Sequence, residues 1–529
     1  MYQTAAGNLV DCLLERGVRH LFTLSGNQIL SLYDATIGRD LKLIHTRHEA
    51  AAVHMADAWG RLRETPGVAV VTAGPGHCNA IGALYVALQA ESPLVLISGH
   101  APLSQLGKGA FQEMDQLAIA APVTKASWRV DAPERAAAAL DEAFSLAGSG
   151  RPGPVHLSIP SDVLAARVES SDRPGRQQNP PESIAQEDTE QVLRLLAGAR
   201  RPLLLAGAAI SRPLRWPSVK ELARACGAPA LKMESPRGVN DPRLYGASRL
   251  FGRADLVLLL GKELDFALRF GGPPFAADCR FVRIAAPENP APDHPKVVLS
   301  LRADPAEAAL QLARRWRGNG SAFDSWRRAV ESARSETPSE WEDWRRGART
   351  PIHPLRVCEG LRPFLTDGAV VVSDGGEFGQ WAQAGLDSRV NLINGPSGAI
   401  GSAIPMALAC RLARPGQPVF AFLGDGTFGY HALEFDTALR YRLPVVAIVG
   451  NDARWNAEYQ LQLDHYGPER TVACELLPTR YDQVVEALGG HGEWVPEPDQ
   501  LEPALERALD SGLPACVNVA IEGVKAPTF

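Results

Sequence analysis

Short apolar segments alternate with amphipathic segments along most of the chain. The runs PVFAFLG at 418–424 and PVVAIVG at 444–450 are rich in Val, Ile and Phe, as strands buried on both faces of a parallel sheet usually are. Between them, apolar residues recur at roughly helical spacing from Phe428 to Leu443. This pattern predicts a βαβ unit with one crossover helix, because parallel strands need such a connection.

The same alternation is found in three parts of the chain, which at 529 residues has room for three domains. Segments such as RHLFTL, RPLLLAG and GAVVVSD are each followed by residues with helical spacing. We therefore predict an α/β protein of three doubly wound domains with mainly parallel sheets, at 1–165, 190–335 and 350–529. The polar, proline-rich stretch 166–190 is predicted to be a linker, and the charged stretch 318–350 a helix followed by a second linker.

Composition narrows the classes of function. A net charge of −6 argues against a nucleic-acid-binding protein, and the absence of any run of about 18 apolar residues argues against a membrane span. Asp11, Glu15 and Arg16 interrupt the first apolar positions, so no signal peptide is predicted. The eight cysteines show no CxxC spacing, which favours a reduced, cytoplasmic protein without structural zinc.

A carboxylate follows each of the two strands described first. Asp425 comes directly after one strand and Asp452 after the other, and ligands of open parallel sheets bind at the carboxyl ends of the strands. Magnesium takes one or two carboxylates together with substrate phosphates, and Gly424 and Gly426 allow the backbone to approach an anion closely. A Gly-Asp-Gly turn alone is more often structural. Because a second polar turn follows the next strand, we favour a site for magnesium and a diphosphate.

Three other segments that follow predicted strands carry residues suited to a cofactor. Gly74-Pro75-Gly76 and Gly375-Gly376 are glycine-rich turns, and the second is placed to donate backbone N–H groups to phosphate. Glu49 opens a helix that continues to about residue 62. Each has an ordinary structural explanation, since a glycine turn is a common connection and a carboxylate in a first helical turn is favoured by the helix dipole.

Taken together, these motifs resemble the thiamine diphosphate (ThDP) enzymes over nearly the whole chain, and most closely the acetolactate synthase, benzaldehyde lyase and 2-hydroxyacyl-CoA lyase group. The resemblance implies a pyrimidine-binding, a central and a diphosphate-binding domain, with ThDP and Mg²⁺ as cofactors. It leaves FAD or ADP in the central domain open, because 206–208 follows a strand without a GxGxxG fingerprint. It also implies a homodimer or homotetramer, since family members pair the first domain of one chain with the third domain of another.

The resemblance assigns roles to single residues. Glu49 is implied to be the catalytic residue that hydrogen-bonds the aminopyrimidine ring of ThDP and promotes its tautomerisation. Ile400 is implied to bend the cofactor into a V, in which the carbonyl of Gly398 accepts the cofactor's amino group. The implied Mg²⁺ ligands are Asp425, Asp452 and the backbone carbonyl of Arg454. The other implied cofactor contacts are Gly74, Asn79, Gly375, Gly376, Glu377, Phe378, Gly424, Gly426, Thr427, Trp455, Asn456 and Ala457.

The substrate contacts also follow from the resemblance, but two positions depart from the family. The implied contacts are Ser25, Gly26, Asn27, His77, Phe111, Gln112, Trp455 and Glu458. The family usually has Asn where this chain has Asp452, which adds a negative charge beside the diphosphate. The turn 25–27 matches none of the subgroups, so no single relative supplies the substrate.

We therefore expect a ThDP- and Mg²⁺-dependent lyase or carboligase, similar to acetolactate synthase, that acts on small 2-oxo acids or 2-hydroxy ketones. Three alternatives stay open: an enzyme similar to 2-hydroxyacyl-CoA lyase or oxalyl-CoA decarboxylase, an FAD-linked 2-oxo acid oxidase, and a non-catalytic ThDP-binding regulatory protein. The sequence does not select the donor and acceptor substrates.

Overall fold

The computed structural model describes residues 2–169, 182–286 and 294–528. Three parallel sheets with helices on their faces make up these ranges, so the predicted fold of three α/β domains is confirmed. Residues 170–181 of the predicted linker lie outside the described residues. No helix within the described ranges is long and apolar enough to cross a membrane.

The first domain is built on six parallel strands in the order β3-β2-β4-β5-β7-β6, with β1 and β8 paired antiparallel beside them. Its strands are β1 (Tyr2–Thr4), β2 (His20–Thr23), β3 (Lys42–His45), β4 (Gly67–Val71), β5 (Leu94–His100), β6 (Ala126–Arg129), β7 (Pro154–Pro160) and β8 (Arg167–Glu169). Its helices are α1 (Ala5–Glu15), α2 (Leu30–Ala35), α3 (Glu49–Arg63), α4 (Pro75–Gln89), α5 (Gln116–Ala120), α6 (Ala136–Gly148) and α7 (Ser161–Ala165). The start of the predicted linker therefore forms a strand.

The central domain has five parallel strands in the order β10-β9-β11-β12-β13. They are β9 (Pro202–Ala206), β10 (Ala230–Lys232), β11 (Leu256–Leu260), β12 (Arg280–Ala285) and β13 (Val297–Arg302). The helices are α8 (Gln186–Ala197), α9 (Trp216–Cys226), α10 (Pro305–Arg315), α11 (Asp324–Ser335) and α12 (Glu340–Arg346). The stretch 318–350, predicted as one helix and a linker, thus holds two helices.

The third domain has six parallel strands in the order β15-β14-β16-β17-β19-β18. They are β14 (Val370–Ser373), β15 (Val390–Ile393), β16 (Val419–Gly424), β17 (Val446–Asn451), β18 (His491–Val495) and β19 (Ala515–Ala520). The helices are α13 (Pro354–Leu361), α14 (Gly376–Gly385), α15 (Ala403–Ala413), α16 (Asp425–His431), α17 (Glu434–Arg440), α18 (Asn456–Tyr466), α19 (Tyr481–Leu488) and α20 (Leu501–Asp510).

The single crossover helix predicted between β16 and β17 is two helices, α16 and α17. The backbone at Ala432 and Leu433 keeps right-handed helical dihedral angles, but the helical hydrogen bonds are interrupted there. The apolar periodicity depends on the dihedral angles, so it continues through the interruption and does not reveal it.

The first and third domains share one hydrophobic core. Ala52 and Met55 of α3 belong to the same buried cluster as Ala407 and Leu408 of α15. The central domain is different. Alternate residues of its strands point to opposite faces of the sheet, and the buried cluster on each face contains residues of this domain alone. The large joint burial fixes the first and third sheets relative to each other.

Candidate cofactor site at the sheet edges

The two predicted metal-binding carboxylates lie at one edge of the third sheet. β16 and β17 are neighbours, with Gly424 opposite Gly450, so Asp425 and Asp452 leave the sheet at the same end. The Asp425 side chain is 1% exposed, and its Oδ2 has no hydrogen-bond partner among the described residues. A buried acceptor without a partner is costly, and a bound cation would satisfy it.

The electrostatics of this pair also favour a cation. Burial raises the pKa of Asp425 to about 6, although the backbone N–H groups of Gly426 and Arg454 oppose the rise. Burial, and then the charge of Asp425, raise the pKa of Asp452 to about 7. Two neighbouring carboxylates that resist ionisation without a counter-charge are suited to a divalent ion.

Few side-chain ligands are available besides these two aspartates. No group of three or more His, Cys, Asp or Glu within the described ranges is arranged to hold a metal ion. The Arg454 guanidinium, which lies over the Tyr459 ring at 4.5 Å, is a cation without an acceptor atom, so Arg454 can contribute to the metal only through its backbone. A divalent ion here would complete its shell with backbone oxygen, water and phosphate, as magnesium does when it binds a diphosphate.

Trp455 packs against the turn that carries Asp425. A Cβ atom added to Gly426 would lie 2.6 Å from Cζ3 of the Trp455 ring, so the ring requires glycine at this position. Trp455 itself is half-buried and also meets the Tyr430 ring edge-on at 6.5 Å. The Thr427 hydroxyl donates to the Gly424 carbonyl at 2.9 Å and closes the same turn. This close packing fixes the Asp425 side of the site.

A second glycine turn lies beside the first, between β14 and α14. Gly376 has φ +86°, which only glycine adopts readily, and a Cβ atom on Gly375 would lie 2.7 Å from Cγ2 of Ile400. The N-terminus of α14 has no side-chain cap, so its N–H groups remain suited to an anion. The turns at Gly375 and Asp425 therefore lie at neighbouring strand ends, since β14 pairs with β16.

Asp374 holds this turn in place and was not predicted from the sequence. Its buried carboxylate accepts hydrogen bonds from the backbone N–H groups of Gly375 at 2.8 Å, Gly401 at 2.9 Å and Ala403 at 3.0 Å. It thereby joins the end of β14 to the start of α15. The sequence does show an aspartate directly after a strand. Its role could not be predicted, because two of its partners, Gly401 and Ala403, lie far along the chain.

Glu49 and Asn79 meet at the corresponding edge of the first sheet. Glu49 begins α3 and is 7% exposed, and Asn79 Nδ2 donates to its Oε2 at 3.0 Å. Gly76 packs against the same carboxylate, because a Cβ atom there would lie 3.2 Å from Glu49 Oε1 and 2.7 Å from Cγ2 of Thr72. The predicted burial of Glu49 is therefore observed, although the helix N-terminus favours the ionised form of this carboxyl, which burial disfavours.

The proposed substrate residues of the first domain gather at the same edge. Gly74 has φ +56° and lies so close to Gln112 that a Cβ atom would be 3.0 Å from Cβ of Gln112. Phe111 is 70% exposed. Ser25 and Asn27 are exposed, and the Ser25 N–H donates to His45 Nε2 at 3.3 Å. Gly26 leaves no space for a side chain beside Thr72.

The chain matches known proteins over both of these edges. Residues 3–119 match the N-terminal TPP-binding domain of thiamine pyrophosphate enzymes, and residues 374–519 match their C-terminal TPP-binding domain. It is 36% identical over 531 residues to a probable acetolactate synthase of Mycobacterium bovis, a match that covers 97% of this chain and 95% of the relative.

The chain belongs to the thiamine pyrophosphate enzyme family. It is also 30% identical to the 2-hydroxyacyl-CoA lyase 2 of Homo sapiens over 571 residues, which covers 97% of this chain and 89% of the relative. The resemblance found in the sequence is thus confirmed. Thiamine pyrophosphate is the same molecule as ThDP, and the residues described above fit it, with anion-binding glycine turns and a carboxylate pair at the third domain and a buried carboxyl at the first.

The side chains of two residues of this ThDP enzyme, His77 and Asn456, lie elsewhere than predicted. The His77 side chain is wholly buried, shares a hydrogen bond of 2.8 Å with Ser98, and packs on the His156 ring, so it does not face substrate. The Glu377 carboxylate binds Arg237 and the backbone N–H of Ala526. The predicted substrate contact of His77 is therefore corrected, because this side chain supports the first domain internally. The contact predicted for Glu377 is through its backbone N–H group, and it stays a prediction.

The predicted contact of Asn456 is corrected for the same reason, whereas the contact predicted for the backbone N–H group of Phe378 stays a prediction. The Phe378 ring is 5% exposed and packs on Phe422 under the sheet. Asn456 donates to the Val524 carbonyl at 3.3 Å and accepts from Gln460 at 3.0 Å. Both side chains hold the third domain together, and the sequence pattern could not distinguish this use from a cofactor contact.

The remaining predicted residues border the open part of the site. Gly398 is exposed, has φ +69° and has open space beside its Cα, and Ile400 is half-buried and lies close to Gly375. Ala457 is half-buried and Glu458 exposed in the first turn of α18. Their roles toward ThDP and substrate stay predictions.

The crevice of the central domain is filled by a residue of the first domain. Glu91 Oε2 accepts from the Ala209 N–H at 2.9 Å, at the point after β9 where a nucleotide phosphate would meet the backbone. A Cβ atom on Gly207 would lie 1.8 Å from the Gly261 carbonyl, and a cavity of about 20 Å³ is found at this edge. The Glu91 carboxylate thus occupies the backbone position after β9 that would otherwise suit the phosphate of a nucleotide.

Proposed function

We propose that this protein is a ThDP- and Mg²⁺-dependent enzyme that forms or cleaves a C–C bond next to a carbonyl, as acetolactate synthase does. The observation that carries the proposal is the pair of buried Asp425 and half-buried Asp452 at one sheet edge, with Asp425 Oδ2 lacking a partner among the described residues, on a chain that also buries Glu49. The relative named as an acetolactate synthase is 36% identical, compared with 30% for the 2-hydroxyacyl-CoA lyase, which supports a 2-oxo acid as substrate.

In this proposal each end of the site has a separate task. Asp425, Asp452 and the Arg454 backbone hold Mg²⁺, and the turns at Gly375 and Gly424 receive the diphosphate. When bound, ThDP supplies the nucleophilic carbon and the electron sink needed to break a bond next to a carbonyl.

Glu49 holds and moves a proton at the other end. Asn79 occupies its Oε2, which leaves Oε1 to exchange a proton with the cofactor ring. Because the side chain is buried, this exchange takes place away from bulk water, where a positioned acid is most effective. The presence of Glu49 counts against a non-catalytic ThDP-binding protein.

The two ends belong to different copies of the chain in this proposal. The outer face of α4 leaves Asn79 and Tyr85 exposed, with Tyr85 at 43%. A second copy seated there would complete the site, so we propose a homodimer or homotetramer and a small-molecule substrate bound between copies.

The experiment is a product screen by mass spectrometry with the ThDP- and Mg²⁺-loaded enzyme. Pyruvate, glyoxylate, benzaldehyde, acetoin, formyl-CoA and a 2-hydroxyacyl-CoA are offered singly and in pairs. Acetolactate from pyruvate, lost in Asp425→Ala, would support the proposal. Cleavage of the acyl-CoA without turnover of pyruvate would replace it with the lyase alternative.

A further inference from the structure

The turn that follows β17 contains a residue in an unfavourable backbone conformation. Ala453 has φ +54°, in the left-handed region that is unfavourable for any residue with a Cβ atom. Such strain persists only where the surrounding structure holds it, and it is frequent at ligand-binding sites. Ala453 lies between the two implied metal ligands of this turn, Asp452 and the Arg454 carbonyl. Its dihedral angles therefore set the position of one ligand relative to the other.

One side of this turn is held by the segment 474–476. The Trp455 N–H donates to the Cys474 carbonyl at 2.7 Å. The Leu476 N–H donates to the Ala453 carbonyl, also at 2.7 Å. These two bonds join the turn to the segment as a short antiparallel bridge. They hold the carbonyl of the strained residue, and its N–H is held from the opposite side.

That opposite side consists of two asparagines on neighbouring strands. Asn451 ends β17 and is 6% exposed, and Asn518 lies on β19 and is wholly buried. Asn451 Nδ2 donates to Asn518 Oδ1 at 3.2 Å, and both amides donate to the Thr479 carbonyl, at 2.9 Å and 3.1 Å. Asn451 Oδ1 accepts from the Ala453 N–H at 3.3 Å. Hydrogen bonds thus run from the interior of the third domain to the strained residue.

Asp482 sets the direction of this network. It is buried, and its Oδ1 accepts from Asn518 Nδ2 at 3.0 Å. Burial raises the pKa of Asp482, but the hydrogen bonds from Arg480 and Asn518 outweigh burial and lower the pKa below its usual value. Because an ionised carboxylate only accepts hydrogen bonds, the nitrogen of Asn518 faces Asp482 and its oxygen faces Asn451. The oxygen of Asn451 is then left for the Ala453 N–H.

We propose that Asn451 and Asn518 are positioning residues for the divalent ion, acting through Ala453. By holding Ala453 in its left-handed conformation, they present the Asp452 carboxylate and the Arg454 carbonyl to one ion. This inference rests on the proposed function, since it concerns the same Mg²⁺. An amide inside a buried strand is costly unless it is hydrogen-bonded, and support of the turn accounts for its presence in β19.

The test measures how ThDP binding by the whole protein depends on Mg²⁺, by equilibrium dialysis at a fixed ThDP concentration. Asn518→Ala should raise the half-saturating Mg²⁺ concentration by about fivefold or more, because the turn loses its support. Saturating Mg²⁺ should restore ThDP binding. Adding Ala453→Gly to this variant should recover most of the loss, since glycine adopts the left-handed conformation without support. Damage from a cavity at Asn518 alone would not be repaired at position 453.

The matched control is Asn8→Ala, which removes another buried asparagine, from α1 of the first domain, and should leave the Mg²⁺ requirement unchanged. Melting temperatures of the cofactor-free variants show whether each one is folded. Asn451→Ser, at the end of β17, gives a second test that does not disturb the middle of a strand. The proposal is overturned if either folded asparagine variant keeps the wild-type Mg²⁺ requirement, or if Ala453→Gly does not lower that of Asn518→Ala. Absence of Mg²⁺-dependent ThDP binding in the wild type would instead overturn the proposed function, and this inference with it.

Discussion

Asn79 Nδ2 donates a hydrogen bond to Glu49 Oε2 across 3.0 Å, from the first turns of α4 to the first residue of α3. This contact fixes one carboxylate oxygen and leaves the other for chemistry. We predict that Glu49→Gln lowers turnover by at least about tenfold while ThDP still binds, because glutamine cannot carry the proton. Steady-state kinetics and cofactor titration measure the two effects separately. Glu142→Gln, on an exposed face of α6, serves as the control; normal turnover in Glu49→Gln would remove the proton-relay role.

The aspartate pair predicts a pH-dependent response to cofactor. The pKa values of Asp425 and Asp452 are raised to about 6 and about 7 in the folded protein, so the cofactor-free protein loses stability as pH rises from the ordinary aspartate pKa through about 7. Magnesium needs the ionised carboxylates, so it stabilises most above pH 7. The increase in melting temperature on adding ThDP and Mg²⁺ should therefore be larger at pH 8 than at pH 5.5. An equal increase at both pH values in wild type, or the same pH response in an Asp425→Asn/Asp452→Asn variant, would contradict this assignment.

The contact between Gly426 and Trp455 predicts that the cost of a substitution at Gly426 depends on the Trp455 ring. Gly426→Ala should lower the free energy of unfolding by about 1–3 kcal/mol, because the new methyl group overlaps the indole ring. Gly424→Ala is the control, since a Cβ atom there meets nothing within 4 Å. Chemical denaturation of the cofactor-free protein measures both. Replacing Trp455 with Ala should remove the penalty of Gly426→Ala, and failure of this rescue would show that the ring is not the cause.

Asp374 is predicted to be necessary for the diphosphate turn. Asp374→Ala leaves the N–H groups of Gly375, Gly401 and Ala403 without their acceptor, which costs about 1–3 kcal/mol for each buried group that finds no water. We expect a lower melting temperature and weaker ThDP binding. Asp367→Ala is the control, because that side chain is 87% exposed. ThDP affinity equal to wild type in Asp374→Ala would contradict a positioning role.

The filled central crevice predicts that the enzyme works without flavin. Because Glu91 occupies the Ala209 N–H, the purified protein should show no flavin absorption bands, and added FAD should not raise turnover. Absorption spectroscopy and assays with and without FAD decide this. A yellow protein with a stoichiometric flavin would restore the oxidase alternative.

Local pattern was enough to predict the sheets and to place Asp425 and Asp452 at one sheet edge. Asp425, Asp452 and Glu49 were chosen as candidates because each stands where a predicted strand or helix begins or ends, and strand ends converge in parallel sheets. The roles of His77, Asp374 and Glu91 could not be predicted. Each depends on a partner in a different element, such as Ser98 for His77 or Ala209 for Glu91, and apolar periodicity carries no information about such pairs.

The split between α16 and α17 was missed for a different reason. Its dihedral angles remain helical, so the spacing of apolar residues is that of one helix. Asn456 was assigned to the cofactor because it stands at the start of the helix after Asp452. The direction in which its side chain points is decided by packing against neighbours such as Val524, and the sequence does not specify these contacts locally.

The buried cluster shared by α3 and α15 has a consequence for how the chain can be divided. Residues 1–165 and 350–529 enclose the central domain in sequence, yet each covers the other's apolar surface. A fragment ending near residue 165 would expose the apolar faces of α3 and α4 to water and would self-associate. The clusters on the two faces of the middle sheet contain residues of that domain alone, whereas the outer two domains are joined by the cluster that α3 and α15 share.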